Sequence, residues 1–471
     1  MQNKPNLVFI IADQLRYQSL GYAGDTRAKT PRIDALCRES IDMRNAVSGH
    51  PVCAPFRASL FTGKYTSSTG MVINEIRMNT NHRTFAHVLN DGGYNTSYIG
   101  KWHMYSAELG NHYDPKNSFI PPGEHRLGFD GYFAAYNFHH DFYGETAYYH
   151  LDTPEKIYCN GYEPDVQTDM AIQQLGELKG QNKPFALFLS VGTPHDPWTP
   201  ENVPPEYLEM FKDVEFTLPG NYLPDNDPHA DEWARLSEAE RAELTEWMRV
   251  YYAMTTNLDH NVGRIVDALD EMGLDEDTIV VFTSDHGELF GAHGRRAKNI
   301  FYDEAVRVPF LIRNRKLAPH TCDISFNTVD IMPTFLSMMG LETPAEVEGK
   351  DALVAISDPS FTPHPQDGVL MMCTGPTAIF ADGHEWRAYR TCKYTYAVFK
   401  SSGKELLFDN ENDPLQMNNL IHDPAYTQLA TDLKQRMWAE MDRVGDTFPP
   451  NSFYEANWVK DRLIVKTATI G

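Results

Sequence analysis

In "NLVFIIADQ" an apolar run ends in a carboxylate, Asp13, and an amide, Gln14. The pattern recurs down the chain. "YNTSYIG" leads into Lys101-Trp102-His103, "PFALFLSVGTP" into His195-Asp196, and "TIVVFTSD" ends in Asp285-His286-Gly287-Glu288. Further on, "RRAKNIFYDEAVRVPF" carries Arg295, Arg296 and Lys298 ahead of another apolar run. Each alone has an ordinary explanation, because an Asp at a strand end often only caps the next helix. They gain meaning together, because open α/β sheets bind ligands beyond the carboxyl ends of their strands. Asp13, Gln14, Asp285 and His286 form a candidate divalent-cation site. Oxygen donors favour Ca²⁺, Mg²⁺ or Mn²⁺, whereas an imidazole leans towards Mn²⁺ or Zn²⁺. Lys101, Lys298 and Arg57 would cradle an anion, with His103 and His195 as proton-transfer groups. Such a set is suited to hydrolysing an anionic ester.

Cys53 stands apart from this pattern. In "HPVCAPFRASLFTGKY" it precedes Pro55 by two positions and Arg57 by four. No second cysteine is near enough for a CxxC redox pair or a zinc knuckle. Taken alone, Cys53 reads as a small apolar residue at a helix start.

The elements that must position these groups follow from hydrophobic pattern. "NLVFIIAD" (6–13), "YNTSYIG" (94–100), "PFALFLSVG" (184–192) and "TIVVFTSD" (278–285) suit strands buried on both faces. "TPRIDALCRES" (30–40) predicts a short helix capped by Thr30 with Pro31 in its first turn. A long helix opens at Ser237 and Glu240, which have capping-box spacing, and runs to about Met272. Strands alternating with helices indicate an α/β fold: a large, mostly parallel sheet sandwiched by helices, over residues 1–355. "ISDPSFTPHPQDG" (356–368) reads as a linker. Short runs beyond it, "VLMMCT", "EWRAYRT", "YTYAVF" and "ELLFD", then a helix at about 424–443, predict a smaller C-terminal antiparallel sheet plus helix over 368–471.

Composition narrows the partners. The chain has 471 residues, 42% hydrophobic and 23% charged, with a net charge of −24. That charge, without any basic run, argues against nucleic acid. An anionic substrate must be drawn in locally, by a positive pocket or a metal. Six scattered cysteines are not a disulfide framework. No apolar run reaches the ~20 residues that cross a bilayer, so no membrane partner is expected. "MQNKPNLVFI" lacks signal-peptide features. The expectation is a soluble protein, cytoplasmic as written, or periplasmic or secreted if a leader preceded residue 1.

The segments "PNLVFIIADQ", "CAPFRASLFTGKY", "GKWH", "TPHDP", "TSDHGE" and "AKNIFYDEAVRVPFLI" resemble, in order, those of the formylglycine-dependent sulfatases of the alkaline-phosphatase-like superfamily. "EWRAYRTCKYTYAVF" and "LLFDNENDPLQMNNL" are similar to that family's C-terminal subdomain. The resemblance implies that a maturation enzyme reading Pro55 and Arg57 oxidises Cys53 to formylglycine (3-oxoalanine). One hydroxyl of its hydrate would attack the sulfur of a sulfate ester, and the second would then expel sulfate. A cysteine or serine has no second hydroxyl and so no such exit. By the same resemblance Asp13, Asp285 and His286, with Gln14, ligate one divalent cation, Ca²⁺ foremost and Mn²⁺ or Zn²⁺ as alternatives. Arg57 would hold residue 53 and the carboxylates in place, and His103 would deprotonate the second hydroxyl. Lys101 and Lys298 would bind sulfate oxygens, and His195 with Lys298 would protonate the leaving alcohol. Three positions depart from the family's commonest pattern. Gln14 stands where Asp is usual, His286 where Asn is usual, and Phe56 where the maturation signal usually has a small residue. The Gln/His pair also resembles phosphonate monoester and phosphodiester hydrolases of the same superfamily.

"HRLGFDGYFAAYNFHHDFYGETAYYH" (125–150) is dense in Tyr, Phe and His, and suits either a sugar-binding wall or core packing. A second metal at His139-His140 is not expected, because neighbours on a strand face opposite ways. "NYLPDNDPHADEWARL" (221–236), with Trp233, is a further candidate rim. The substrate expected is therefore a sulfated sugar or oligosaccharide. The alternatives are a phosphonate monoester or phosphodiester, and a non-catalytic binder of sulfated glycans if Cys53 is not matured.

Overall fold

A computed structural model describes residues 4–106, 110, 113–144, 146–222 and 236–470. Its strands, in chain order, begin with β1 (Asn6–Ala12), β2 (Ile41–Val47), β3 (Asn95–Lys101) and β4 (Phe133–Tyr136). A small hairpin of β5 (Tyr148–Tyr149) and β6 (Ile157–Tyr158) follows, then β7 (Phe185–Val191), β8 (Thr278–Ser284), β9 (Phe310–Arg313) and β10 (His320–Asn327). Eight of these form one sheet in the order β10-β2-β9-β8-β1-β7-β3-β4. All its pairings are parallel except those of β9, which runs antiparallel to β8 and β2.

Both faces of the sheet are covered, which is why its central strands are apolar without alternation. Val8, Ile10, Leu187, Leu189, Val280 and Phe282 pack with Leu258, Val262 and Ile265 of the helix Glu238–Glu271. Leu7, Phe9, Phe188 and Val281 point the other way, against Leu60 and Phe61 of the helix Cys53–Thr62 and Phe335 of the helix Thr328–Met338. Each fully buried side chain of this size contributes roughly 1.5–3 kcal/mol relative to exposure. The Ser237–Glu240 capping box forms, with Ser237 N donating to Glu240 Oε2 at 2.7 Å. The expected Thr30 cap does not. Its hydroxyl accepts from Gly21 N at 2.9 Å and pairs with Asp34 at 3.1 Å, so the preceding loop has recruited it.

The second sheet is an antiparallel meander of β11 (Gly368–Cys373), β12 (Trp386–Thr391), β13 (Tyr394–Phe399) and β14 (Glu405–Asp409). Leu370, Met372, Tyr396 and Leu407 on one face pack on the helix Thr427–Arg443. Met371, Trp386, Phe399 and Phe408 on the other pack on Leu289, Phe301 and Tyr302, which flank Lys298. Among the described residues no helix is long and apolar enough to cross a membrane. Most of the candidate rim at 221–236, Trp233 included, lies outside the described residues.

Candidate active site

The strand order places four candidate segments side by side. Asp285-His286 leave β8, Asp13-Gln14 leave β1, His195 follows β7, and Lys101 is the last residue of β3. Two glycines make the close packing possible. At Gly100 (φ +102°) a Cβ would lie 2.1 Å from Ser190 O, and at Gly287 it would lie 2.0 Å from Glu304 O. Gln14 and His103 adopt left-handed φ values of 66° and 56°, each costing roughly 1–3 kcal/mol. Gln14 is held there by its N–H, which donates to Asp285 Oδ1 at 3.0 Å, and by Tyr251, whose hydroxyl donates to its carbonyl at 2.8 Å.

Cys53 is the first residue of its helix and is 1% exposed. Its Sγ lies 3.1 Å from His286 Nε2, 3.8 Å from Asp13 Oδ1 and 3.9 Å from Lys101 Nζ. The partial positive charge of a helix N-terminus therefore faces the same point. Asp13, Cys53, Asp285 and His286 each offer a donor atom, all within 4.8 Å of one another. One turn along the helix, Arg57 is fully buried and reaches Asp13 Oδ2 at 3.3 Å and Asp285 Oδ2 at 3.5 Å through Nη2. Its Nη1 donates to Ser190 Oγ at 2.6 Å and Lys101 O at 2.8 Å. Lys101 Nζ contacts Asp13 Oδ2 at 2.6 Å.

The opposite side is set by Lys298, which donates to Gln14 Oε1 at 2.7 Å and lies 3.1 Å from His195 Nε2. His195 Nδ1 faces Asp196 O at 2.9 Å, so Nδ1 carries the proton and Nε2 accepts from the ammonium. His103 Nε2 sits 3.5 Å from Glu75 Oε1, and its ring stacks on Phe138 at 4.4 Å.

Burial disfavours the Asp13 carboxylate, but Lys101, helped by Arg57, outweighs it and holds the pKa well below the usual range. Asp285, deprived of solvent and facing Asp13, is raised to about 6. Two buried carboxylates of which one resists ionising are what a divalent cation would relieve, so the donor set fits one. Burial, then Asp13, pushes the Cys53 thiol up to about 11, so it is not a thiolate nucleophile at neutral pH. Burial lowers His103 to about 4 despite Glu75, leaving it neutral and able to accept a proton. Lys298 is raised, because Cys53 and Asp13 together outweigh its own burial.

Asp13, Gln14, Cys53, Arg57, Lys101, His103, His195, Asp285, His286 and Lys298 thus lie at one end of the large sheet. Sequence reasoning missed several supports. Glu288 Oε2 accepts from Gln14 Nε2 at 2.6 Å and so turns the amide oxygen towards Lys298. Its signal was its place in "TSDHGE". Glu75, Ser190 and Asn74, which accepts from Ala54 N at 2.9 Å, carried no such signal. The 125–150 stretch divides: Phe129, Phe133, Tyr136 and Tyr148 are core, whereas His140 turns towards His195. Phe56, at the departure from the maturation signal, is a core residue.

The family described as Sulfatase matches residues 5–341, and the one described as N-sulphoglucosamine sulphohydrolase, C-terminal, matches residues 291–443. An ulvan-active sulfatase of Formosa agariphila is 37% identical over 459 residues, covering 96% of this chain and 84% of its own. An N-acetylglucosamine-6-O-sulfatase of Bacteroides thetaiotaomicron is 25% identical over 95% of this chain and 88% of its own. The crystal structure of the yidJ protein of Bacteroides fragilis superposes with a TM-score of 0.82 at 32% identity, over 96% of this chain and 98% of that one. With an acid-and-cation site at the same strand ends that its motifs marked, the chain belongs to the sulfatase family, enzymes that hydrolyse sulfuric esters.

Proposed function

We propose that the protein hydrolyses the sulfate ester of a sulfated sugar or oligosaccharide, using a formylglycine made from Cys53 by a maturation enzyme. The observation that carries this reading is the position of Cys53 Sγ between His286, Asp13 and Lys101. Asp13, Asp285 and His286, with the Gln14 amide oxygen, would hold one divalent cation, Ca²⁺ by the predominance of oxygen donors. A bound cation would polarise the sulfate and acidify a hydroxyl at position 53. The hydrated aldehyde supplies two geminal hydroxyls, one to take up the sulfo group as a covalent ester and one to expel sulfate.

The chain's own groups do the rest. Lys101 and Lys298 flank residue 53 and neutralise sulfate oxygens as charge builds. Lys298, directly or through His195, gives the leaving oxygen its proton. His103 takes the proton of the second hydroxyl, the C–O bond to sulfate breaks, and the aldehyde returns. Arg57 anchors the carboxylates throughout. These residues all belong to a unit we assign to 1–355, which a second unit at 368–471 buttresses behind Lys298. The carbohydrate assignment draws on relatives named for ulvan and N-acetylglucosamine 6-sulfate.

Peptide mass spectrometry of protein made with a maturation enzyme tests the first step: the Cys53 segment should lose about 18 Da, CH₂SH becoming CHO. Matured protein should release sulfate from ulvan oligosaccharides or N-acetylglucosamine 6-sulfate. Cys53→Ala should lower that rate by at least about a thousandfold. Gln14 and His286 favour a second reading, phosphonate monoester or phosphodiester hydrolysis, and faster turnover of a phosphodiester in parallel assays would select it. An unchanged thiol with retained glycan binding would select the non-catalytic binder.

A further inference from the structure

The loop after β4 brings the site one group that the roles above leave unused. The His140 ring lies 4.6 Å from that of His195 and meets Phe138 edge-on at 4.4 Å. Phe138 in turn stacks on His103 and lies 4.8 Å beneath the Lys101 ammonium. His140 therefore ends a row of side chains joining the His103 side of the site to the His195 side. Its Nε2 is buried and has no hydrogen-bond partner among the described residues. Leaving such an atom unpaired costs about 1–3 kcal/mol, so its partner is expected to arrive from outside the chain. The neighbouring His139 differs: its Nε2 lies 3.1 Å from both Glu163 Oε2 and Tyr148 O, which makes it structural.

The surroundings limit what that partner can be. His140, His195 and Asp196 offer donor atoms within 4.8 Å of one another. A cation there would nevertheless be repelled by Lys298, 3.1 Å from His195 Nε2. The cations nearby, Lys101 and Lys298, are assigned to the sulfate group itself, and burial, with those two, keeps the His140 imidazole neutral, so it offers a second anion no charge of its own. In a neutral imidazole Nε2 either donates or accepts, according to the tautomer, and a hydroxyl is the commonest ligand group that can meet it in either state. His195 beside it marks this as the side by which the alcohol departs.

We propose that His140 Nε2 hydrogen-bonds a hydroxyl of the sugar that bears the sulfate ester, and so selects a polyhydroxylated leaving group over a bare one. The inference rests on the sulfatase reading of the site. A site built to bind a hydroxyl rejects an analogue that lacks it, because its own polar atom is then left unpaired.

The test compares wild type, His140→Ala and His140→Gln, all matured and metal-loaded. The substrates are ulvan oligosaccharides, N-acetylglucosamine 6-sulfate and cyclohexyl sulfate. The last is a six-membered ring with an alkyl leaving oxygen and no hydroxyls, so it controls for proton delivery by His195. Wild type should favour a saccharide over cyclohexyl sulfate. His140→Ala should lower that ratio of kcat/KM by about 10- to 100-fold, chiefly through KM, and His140→Gln, which keeps a donor and an acceptor, should restore part of it. A ratio that does not move in His140→Ala, or a wild type that shows no preference for any saccharide, overturns the assignment. Sulfate release from none of the three substrates by wild type overturns the sulfatase reading itself, and the His140 assignment with it.

Discussion

A proton must reach the leaving oxygen of a sulfate ester, and on the proposed mechanism Lys298, directly or through His195, delivers it. Lys298 is buried and cationic, with His195 Nε2 3.1 Å away. An alkoxide needs that proton far more than a phenoxide does. Lys298→Ala should therefore lower kcat/KM on a sulfated sugar by about 10²–10⁴-fold, the usual range for losing an acid catalyst, and on 4-nitrophenyl sulfate by much less. Equal losses on both would show that Lys298 only binds sulfate. His195 was legible because it follows an apolar run that had to be a central strand, whereas Lys298 stood out as a cation just ahead of one. Glu288 stood in the same motif as Asp285, but its role, like that of His140, lies in a contact across the fold: Glu288 with Gln14, and His140 with His195. A lone histidine in an aromatic stretch gives no hint of which way its ring turns.

Lys298 itself sits on irregular chain, so its position depends on what lies behind it. Trp386 of β12 is buried there, its indole N–H donating to Asn299 O at 2.8 Å and its ring edge-on to Phe301 at 5.5 Å. Trp386→Ala should cost about 3–5 kcal/mol of stability, read as a lower denaturant midpoint. It should also raise KM for the sulfate ester, because the residue next to Lys298 loses its anchor. A fall in stability with KM unchanged would confine Trp386 to packing. At this scale the elements differ in how plainly their sequences mark them. β1, β3, β7 and β8 lie inside the sheet and their predicted limits agree with the observed ones to within a residue or so. β2 and β10 were not predicted. β10 is an edge strand, "HTCDISFN", with a register shift between Cys322 and Ser325, and neither its polarity nor its irregularity marks a strand.

The molecule carries a net charge of −24, yet gathers Arg57, Lys101 and Lys298 around two carboxylates at one point. On the proposed reading, a divalent cation bound there would link the balance of that cluster to the stability of the fold. Asp285, raised to about 6, must lose its proton before it can ligate. Affinity for Ca²⁺ should thus be full above pH 7 and fall by up to about tenfold per unit below pH 6. Stripping the ion with EDTA should lower Tm at pH 7.5, by the equivalent of about 2.7 kcal/mol when Ca²⁺ had stood at 100 times its Kd. The drop should shrink at pH 5, and an equal drop at both values would mean that Asp285 is not a ligand. The helix Cys53–Thr62 has a consequence of a different kind. All ten of its residues are buried, Cys53, Pro55 and Arg57 among them, between the large sheet and the rest of the core. A maturation enzyme that reads those three residues could not reach them on the finished molecule. On the maturation proposed above, oxidation of Cys53 and folding would therefore be competing events in time, and the first would have to win while the segment is still extended; a chain that folded early would be locked as a thiol for as long as it stayed folded.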